Sequence, residues 1–144
     1  MRILTIGFTQ KSAEAFFSLL LGSGAKRVVD VRLNNVSQLA GFTKKDDLKY
    51  FLRAICAIEY VHLPLLAPTQ EMLDAYKKNK GDWTVYEKEF LALMKLRAIE
   101  TVVDREVLSA SCLLCSEPTA ERCHRRLVAE YLREEWGEVE IVHL

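Results

Sequence analysis

Alternation constrains this chain more than any other feature. Runs suited to β-strands recur between stretches with helical spacing along the whole of its 144 residues. Residues 3–7 read as a first strand and 27–32 as a second, built on Val28-Val29-Asp30-Val31. A third covers 60–63, a fourth 111–116 and a fifth 139–143. β-Branched residues suit buried strands of this kind. Between the first two, Ser12 is placed to cap a helix whose Phe16, Phe17, Leu20 and Leu21 share a face, with Gly22 and Gly24 as its stop. Residues 34–41 read as a loop, and Thr43 is the expected cap of a helix carrying Leu48, Phe51, Leu52 and Ile55. Pro64 and Pro68 close the third strand. The stretch 69–110 is mainly helical, broken at Asn79-Lys80-Gly81, and packs through Trp83, Tyr86, Phe90, Leu93 and Met94, with a further turn over 99–103. Five strands joined by helical crossovers predict a single α/β domain over 1–144, a Rossmann-like three-layer fold with a mostly parallel sheet.

Half of the residues are hydrophobic and 28% charged, the profile of a folded globular chain rather than a disordered one. Twenty basic residues balance twenty acidic ones, so no global field draws the protein to nucleic acid or to an anionic membrane. The first eight residues are too soon interrupted for a secretory signal, and no apolar run approaches the roughly 18–20 residues of a membrane span. The expected setting is cytoplasmic and reducing, with Cys56, Cys112, Cys115 and Cys123 as thiols. Cys112 and Cys115 have the Cys-x-x-Cys spacing, but Leu113-Leu114 between them reads as strand interior.

Ligands of open α/β sheets gather at the carboxyl ends of the strands. Those ends are Gly7 with Phe8, Asp30 with Arg32, His62, and Cys115 with Glu117. The helix after Glu117-Pro118 opens Glu121-Arg122-Cys123-His124-Arg125-Arg126 and directs Leu127, Val128, Tyr131 and Leu132 at the sheet, with His124 on the same face. Cys123 and Arg125 flank that face, and Arg126 is placed to pair with Glu130. A thiol in a first helical turn, beside an imidazole, has reason to ionise. The catalytic candidates are therefore Cys115, Glu117, Cys123 and His124; packing is the alternative for each cysteine, and Cys56 and Cys112 are assigned to the core. Gly7, Asp30, Arg32 and Arg125 are candidates for holding an anion, because arginine recognises carboxylate and phosphate in bidentate fashion. Asp30 and Arg32 share one side of a strand and could equally be a structural ion pair. No metal is expected: Cys123 and His124, taken as consecutive helical residues, diverge by about 100°. Gly7 lacks the Gly-x-Gly-x-x-Gly continuation of a dinucleotide site.

The segments Thr5-Ile6-Gly7, Val29-Asp30-Val31-Arg32, Tyr60-Val61-His62-Leu63-Pro64, Leu113-Leu114-Cys115-Ser116-Glu117 and Cys123-His124-Arg125 occur in an order and at distances similar to those of the family called domain of unknown function 488. The resemblance spans essentially the whole chain and implies a small cytoplasmic α/β protein; it assigns no activity. Relatives often carry His or Tyr where this chain has Phe8, so a proton supplied from that position elsewhere would be lacking here.

Three functions compete. One is binding or conversion of a small anionic or phosphate-bearing ligand, with Cys/His chemistry. A second is rhodanese-like sulfur transfer, suggested by Val-Asp-Val-Arg and a cysteine ending a later strand; against it, Pro118 lacks an amide proton and Glu117 repels an anionic donor. The third is a non-enzymatic module for nucleic acid or protein, using Lys26, Arg27, Arg32, Lys44, Lys45, Lys49 and Arg53 against Asp30, Asp46 and Asp47.

Overall fold

The computed structural model describes residues 1–36 and 40–144. Five strands, β1 (Arg2–Gly7), β2 (Arg27–Asp30), β3 (Glu59–His62), β4 (Ser111–Cys115) and β5 (Glu140–His143), form one sheet of order β3-β2-β4-β1-β5. Every pairing is parallel, in a three-layer α/β arrangement. Each strand falls within about a residue or two of its expected limits.

Helix α1 (Ala13–Ser23) begins as expected: the Ser12 hydroxyl accepts from the Ala15 amide at 3.1 Å. Phe16, Phe17 and Leu20 are buried, whereas Leu21 faces solvent. Gly22 lies within the helix, and Gly24 ends it in the left-handed region at φ 76°. α2 (Lys45–Phe51) runs into a π-helical turn, Leu52–Cys56. Thr43 is not its cap. It sits in a preceding 3-10 turn, Gly41–Thr43, and its hydroxyl donates to the Ala40 carbonyl at 2.8 Å. The wider π turn also rotates Ile55 off the buried face into solvent. Part of the expected loop, at 37–39, lies outside the described residues.

α1 and α2 cover one face of the sheet, with Leu4, Ile6, Val28 and Leu114 beneath them. α3 (Gln70–Leu73), α4 (Trp83–Leu96), α5 (Ile99–Val102) and α6 (Arg105–Leu108) lead to β4, and α7 (His124–Trp136) leads on to β5. The opposite face, carrying Ile3, Val29, Val31 and Leu113, is covered by Phe90 and Met94 from α4 and by Leu127, Val128 and Leu132 from α7. A right-handed crossover puts its helix on the face dictated by its direction. β2 leaves toward the β3 edge through α2; β4 leaves toward the β5 edge through α7. The two connections part on opposite faces, which opens a crevice between the carboxyl ends of β2 and β4. Among the described residues no helix is long and apolar enough to cross a membrane.

Candidate functional site

Cys115, the last residue of β4, pairs with Gly7 of β1 and is buried on the α4/α7 face. The chain then runs through Ser116-Glu117-Pro118 and returns at Cys123, the residue preceding α7. This return is fastened by Thr9, whose amide donates to the Ser116 carbonyl at 3.0 Å, and by Lys11, whose ammonium donates to the Pro118 carbonyl at 3.2 Å.

Cys123 is extended, at φ −139°, and so does not belong to the helical run. The 100° divergence expected between Cys123 and His124 therefore does not arise. The sulfurs of Cys115 and Cys123 and a ring nitrogen of His124 all lie within 4.8 Å of one another, and all three residues are buried. The exclusion of a shared metal ion on grounds of divergence falls with its premise. Cys115 Sγ stands 3.5 Å from His124 Nδ1 and 3.7 Å from Nε2. His124 Nε2 lies 2.7 Å from the Val31 carbonyl. A carbonyl can only accept, so Nε2 carries a proton and Nδ1 of the neutral ring keeps its lone pair. Burial lowers the pKa of His124, favouring that neutral ring.

The expected reason to ionise belongs to Cys123, but of the two site thiols it is Cys115 whose pKa is lowered. The Cys123 thiol lies within 4.8 Å of Cys115, and its nearness as a potential donor is the largest influence lowering the Cys115 pKa. Burial opposes it, while the Ser116 amide and hydroxyl and the Arg125 charge assist. Burial, and the nearness of Cys115, push Cys123 well up despite its place at a helix start. Desolvation outweighs the helix dipole there. Cys112 packs under the other face as expected, and Cys56 is half-buried rather than core.

Arg125 is the largest fully buried side chain, 1% exposed. Its Nη1 donates to the Glu117 carbonyl at 2.8 Å and its Nε approaches Thr5 Oγ1 at 3.4 Å; among the described residues it has no acidic partner. Gly7 makes this possible. A Cβ there would lie 1.7 Å from the Glu117 carbonyl oxygen and 3.0 Å from Arg125 Nη1, so Gly7 admits the neighbouring backbone. Glu117 itself turns outward and pairs with Lys77. The expected pairing of Arg126 with Glu130 is present at 3.0 Å.

Asp30 and Arg32 occupy the same sheet end but the opposite face. Asp30 pairs in register with Leu114, one residue short of Cys115, so its side chain enters the α1/α2 layer. Arg32 grips it with two hydrogen bonds of 2.9 Å, Tyr60 donates to it at 2.6 Å, and Arg32 Nη2 donates to the Thr43 carbonyl at 2.7 Å. Among the described residues the buried Arg32 Nη1 has no hydrogen-bond partner, and the guanidinium lies 5.3 Å from the centre of the Phe8 ring. The two assemblies meet along the chain at Val31, whose carbonyl His124 holds.

They also meet in space. A cavity of about 170 Å³ is lined by Arg32, Asn34, Leu73, Cys115, Ser116 and His124. A smaller one of about 50 Å³ shares Cys115 and His124 and is walled by Tyr76, Lys77, Trp83 and Arg122. Rings continue from there toward the imidazole: Trp83 stacks on Tyr86 at 5.3 Å, Tyr86 on Phe90 at 6.1 Å, and Phe90 lies 5.4 Å from His124. Cys115, Cys123 and His124 are thus clustered, Arg32 lines the larger cavity and Glu117 the smaller, and Gly7 and Arg125 line neither. Ser116, Tyr76 and Lys77 were missed. The position of Ser116 beside a strand-end cysteine was a usable signal, whereas Tyr76 and Lys77 arrive from a remote stretch. Of the basic run, Arg27 is bound to Glu59 at 2.9 Å and Arg32 is buried, leaving Lys26, Lys44, Lys45, Lys49 and Arg53 exposed.

Comparison with curated proteins and with solved structures gives no match. A family model described as Domain of unknown function DUF488 matches residues 12–132, a span that holds Val29 to Arg32, the Cys115 strand end and the Cys123-His124-Arg125 turn. The chain, with its strand-end thiol pair and histidine, belongs to the DUF488 family.

Proposed function

We propose that the crevice between β2 and β4 binds a small anionic ligand and that Cys115 is its nucleophile. The observation that carries this reading is the placement of Cys115 at the meeting of two cavities, 3.5 Å from His124 Nδ1 and near a buried arginine that has no acidic partner among the described residues. An unneutralised guanidinium in the interior favours negative charge nearby, whether on a sulfur or on a ligand. In the reaction, His124 Nδ1 takes the thiol proton as Cys115 Sγ forms a bond to the electrophilic atom of the ligand. The leaving group departs with the electrons of the broken bond and receives that proton. Cys123, protonated, remains beside the attacking sulfur.

Alkylation tests this directly. Iodoacetate, small and anionic, forms a sulfur–carbon bond and releases iodide. Cys115 is expected to react before the more accessible Cys56, and faster with iodoacetate than with neutral iodoacetamide, with the site read by peptide mass. Labelling of Cys56 first, with Cys115 inert in the folded protein, overturns the proposal. Sulfur transfer is the second reading, favoured by the pairing of Glu117 with Lys77, which lessens its repulsion of an anionic donor. An added mass of one sulfur on Cys115 after exposure to thiosulfate would select it.

A further inference from the structure

We infer that Cys115, Cys123 and His124 also form a site for one thiophilic dication, Zn²⁺, and that the bound ion switches off the Cys115 nucleophile. This rests on the same cluster as the proposed function but not on the reactivity of Cys115. Two thiolates and an imidazole are zinc donors, with Zn–S about 2.3 Å and Zn–N about 2.0–2.1 Å. Around a tetrahedral ion those lengths place a sulfur and a nitrogen about 3.6 Å apart. Cys115 Sγ is 3.5 Å from His124 Nδ1 and 3.7 Å from Nε2, so the sulfur stands over the ring face and the imidazole must turn to aim the Nδ1 lone pair at an ion held by the sulfurs. The third donor, Cys123 Sγ, is within 4.8 Å of both.

The surroundings suit a metal ligand. A ligating histidine usually donates its other ring N–H to a carbonyl or carboxylate, which fixes its tautomer and aims the free lone pair. His124 does this through Nε2 to Val31 at 2.7 Å, so Nδ1 is the nitrogen left to bind. The ring is further held by Phe90 at 5.4 Å. Two thiolates neutralise the dication, so the ion adds no net charge beside Arg125. Three protein donors leave a fourth position, and both cavities border the cluster through Cys115 and His124. That position can take a water or the anionic ligand. With the ion in place the Cys115 lone pair is committed to metal, and the thiol is no longer free to attack.

The decisive experiment uses Co²⁺ as a spectroscopic substitute, added without oxygen to full-length protein first treated with a chelator and a reductant. One equivalent is expected to give a thiolate-to-cobalt charge-transfer band and the visible bands of a tetrahedral ion, and one equivalent of Zn²⁺ to bleach both. Cys123→Ser keeps a hydroxyl able to hydrogen-bond Cys115 but loses a zinc ligand. It should weaken Co²⁺ binding by at least about 100-fold, since losing even a residue that only hydrogen-bonds a metal ligand costs roughly 10–100-fold. In unaltered protein, Zn²⁺ should protect Cys115 from iodoacetate and leave Cys56 labelling unchanged, a readout independent of how any variant folds. Absence of the charge-transfer band, or its persistence undiminished in Cys123→Ser, overturns the inference. Rapid iodoacetate labelling of Cys115 in protein that gives no cobalt band defeats the metal site and leaves the nucleophile standing. A cobalt band with Cys115 inert after chelation does the reverse.

Discussion

The carboxyl edge of the sheet carries two buried arginines in opposite circumstances. On the α1/α2 face, Arg32 is matched to Asp30 by two hydrogen bonds and to the Thr43 carbonyl by a third, with Tyr60 completing the carboxylate. On the α4/α7 face, Arg125 has a carbonyl, a distant hydroxyl and two sulfurs for company. The first arrangement has its charge answered within the fold. The second leaves a surplus positive charge in the interior, offset by thiolate or by whatever anion enters. Desolvated charge is costly when unpaired, so natural proteins seldom keep it without use. One edge of one sheet thus separates a structural pair from a chemical site.

Four substitutions sharpen or break this contrast, measured by urea or guanidinium unfolding alongside Cys115 labelling. Asp30→Ala should be the most damaging, at about 3–5 kcal/mol, because it strands Arg32 without its counter-charge. Next, Gly7→Ala drives a methyl into the Glu117 backbone and should cost about 1–3 kcal/mol while slowing iodoacetate at Cys115, since the Arg125 anchor moves with it. Tyr60→Phe removes the 2.6 Å hydrogen bond to Asp30 and should cost about 1–3 kcal/mol, toward the low end of that range, with labelling unchanged. The smallest stability effect belongs to Arg125→Met, an apolar side chain of similar length; about 1 kcal/mol of change in either direction is expected. Its labelling effect is the largest, with the preference for iodoacetate over iodoacetamide lost. If Arg125→Met instead unfolds the protein as Asp30→Ala does, the two arginines are alike and the contrast fails.

Much of this geometry could be read from residue order. Alternating strand-like and helix-like stretches imply a parallel sheet, and a parallel sheet collects its strand ends, which brought Asp30, Arg32, Cys115, Glu117 and His124 to one rim. Facing was harder. Whether Asp30 and Cys115 point the same way depends on register, and Asp30 opposes Leu114 rather than Cys115. That offset of one residue sends them to opposite layers, and no local pattern encodes it. Cys123 misled for a related reason. Its helix begins one residue later than its neighbours suggest, and the extended backbone at Cys123 turns two diverging side chains into converging ones. Thr43 and Ile55 were misplaced by a 3-10 turn and a π turn, whose pitch departs from the 3.6-residue period used to read them.

The two border strands share a design with a consequence for solubility. β3 and β5 are each four residues long, and each opens on a glutamate, Glu59 and Glu140. Each glutamate sits directly across from an arginine on the adjoining strand, Arg27 at 2.9 Å and Arg2 at 3.1 Å. Brief margins that begin with a locked charge offer little template for a foreign strand to extend the sheet. At both borders the protein guards against edge-to-edge aggregation, far from the rim where its thiols gather.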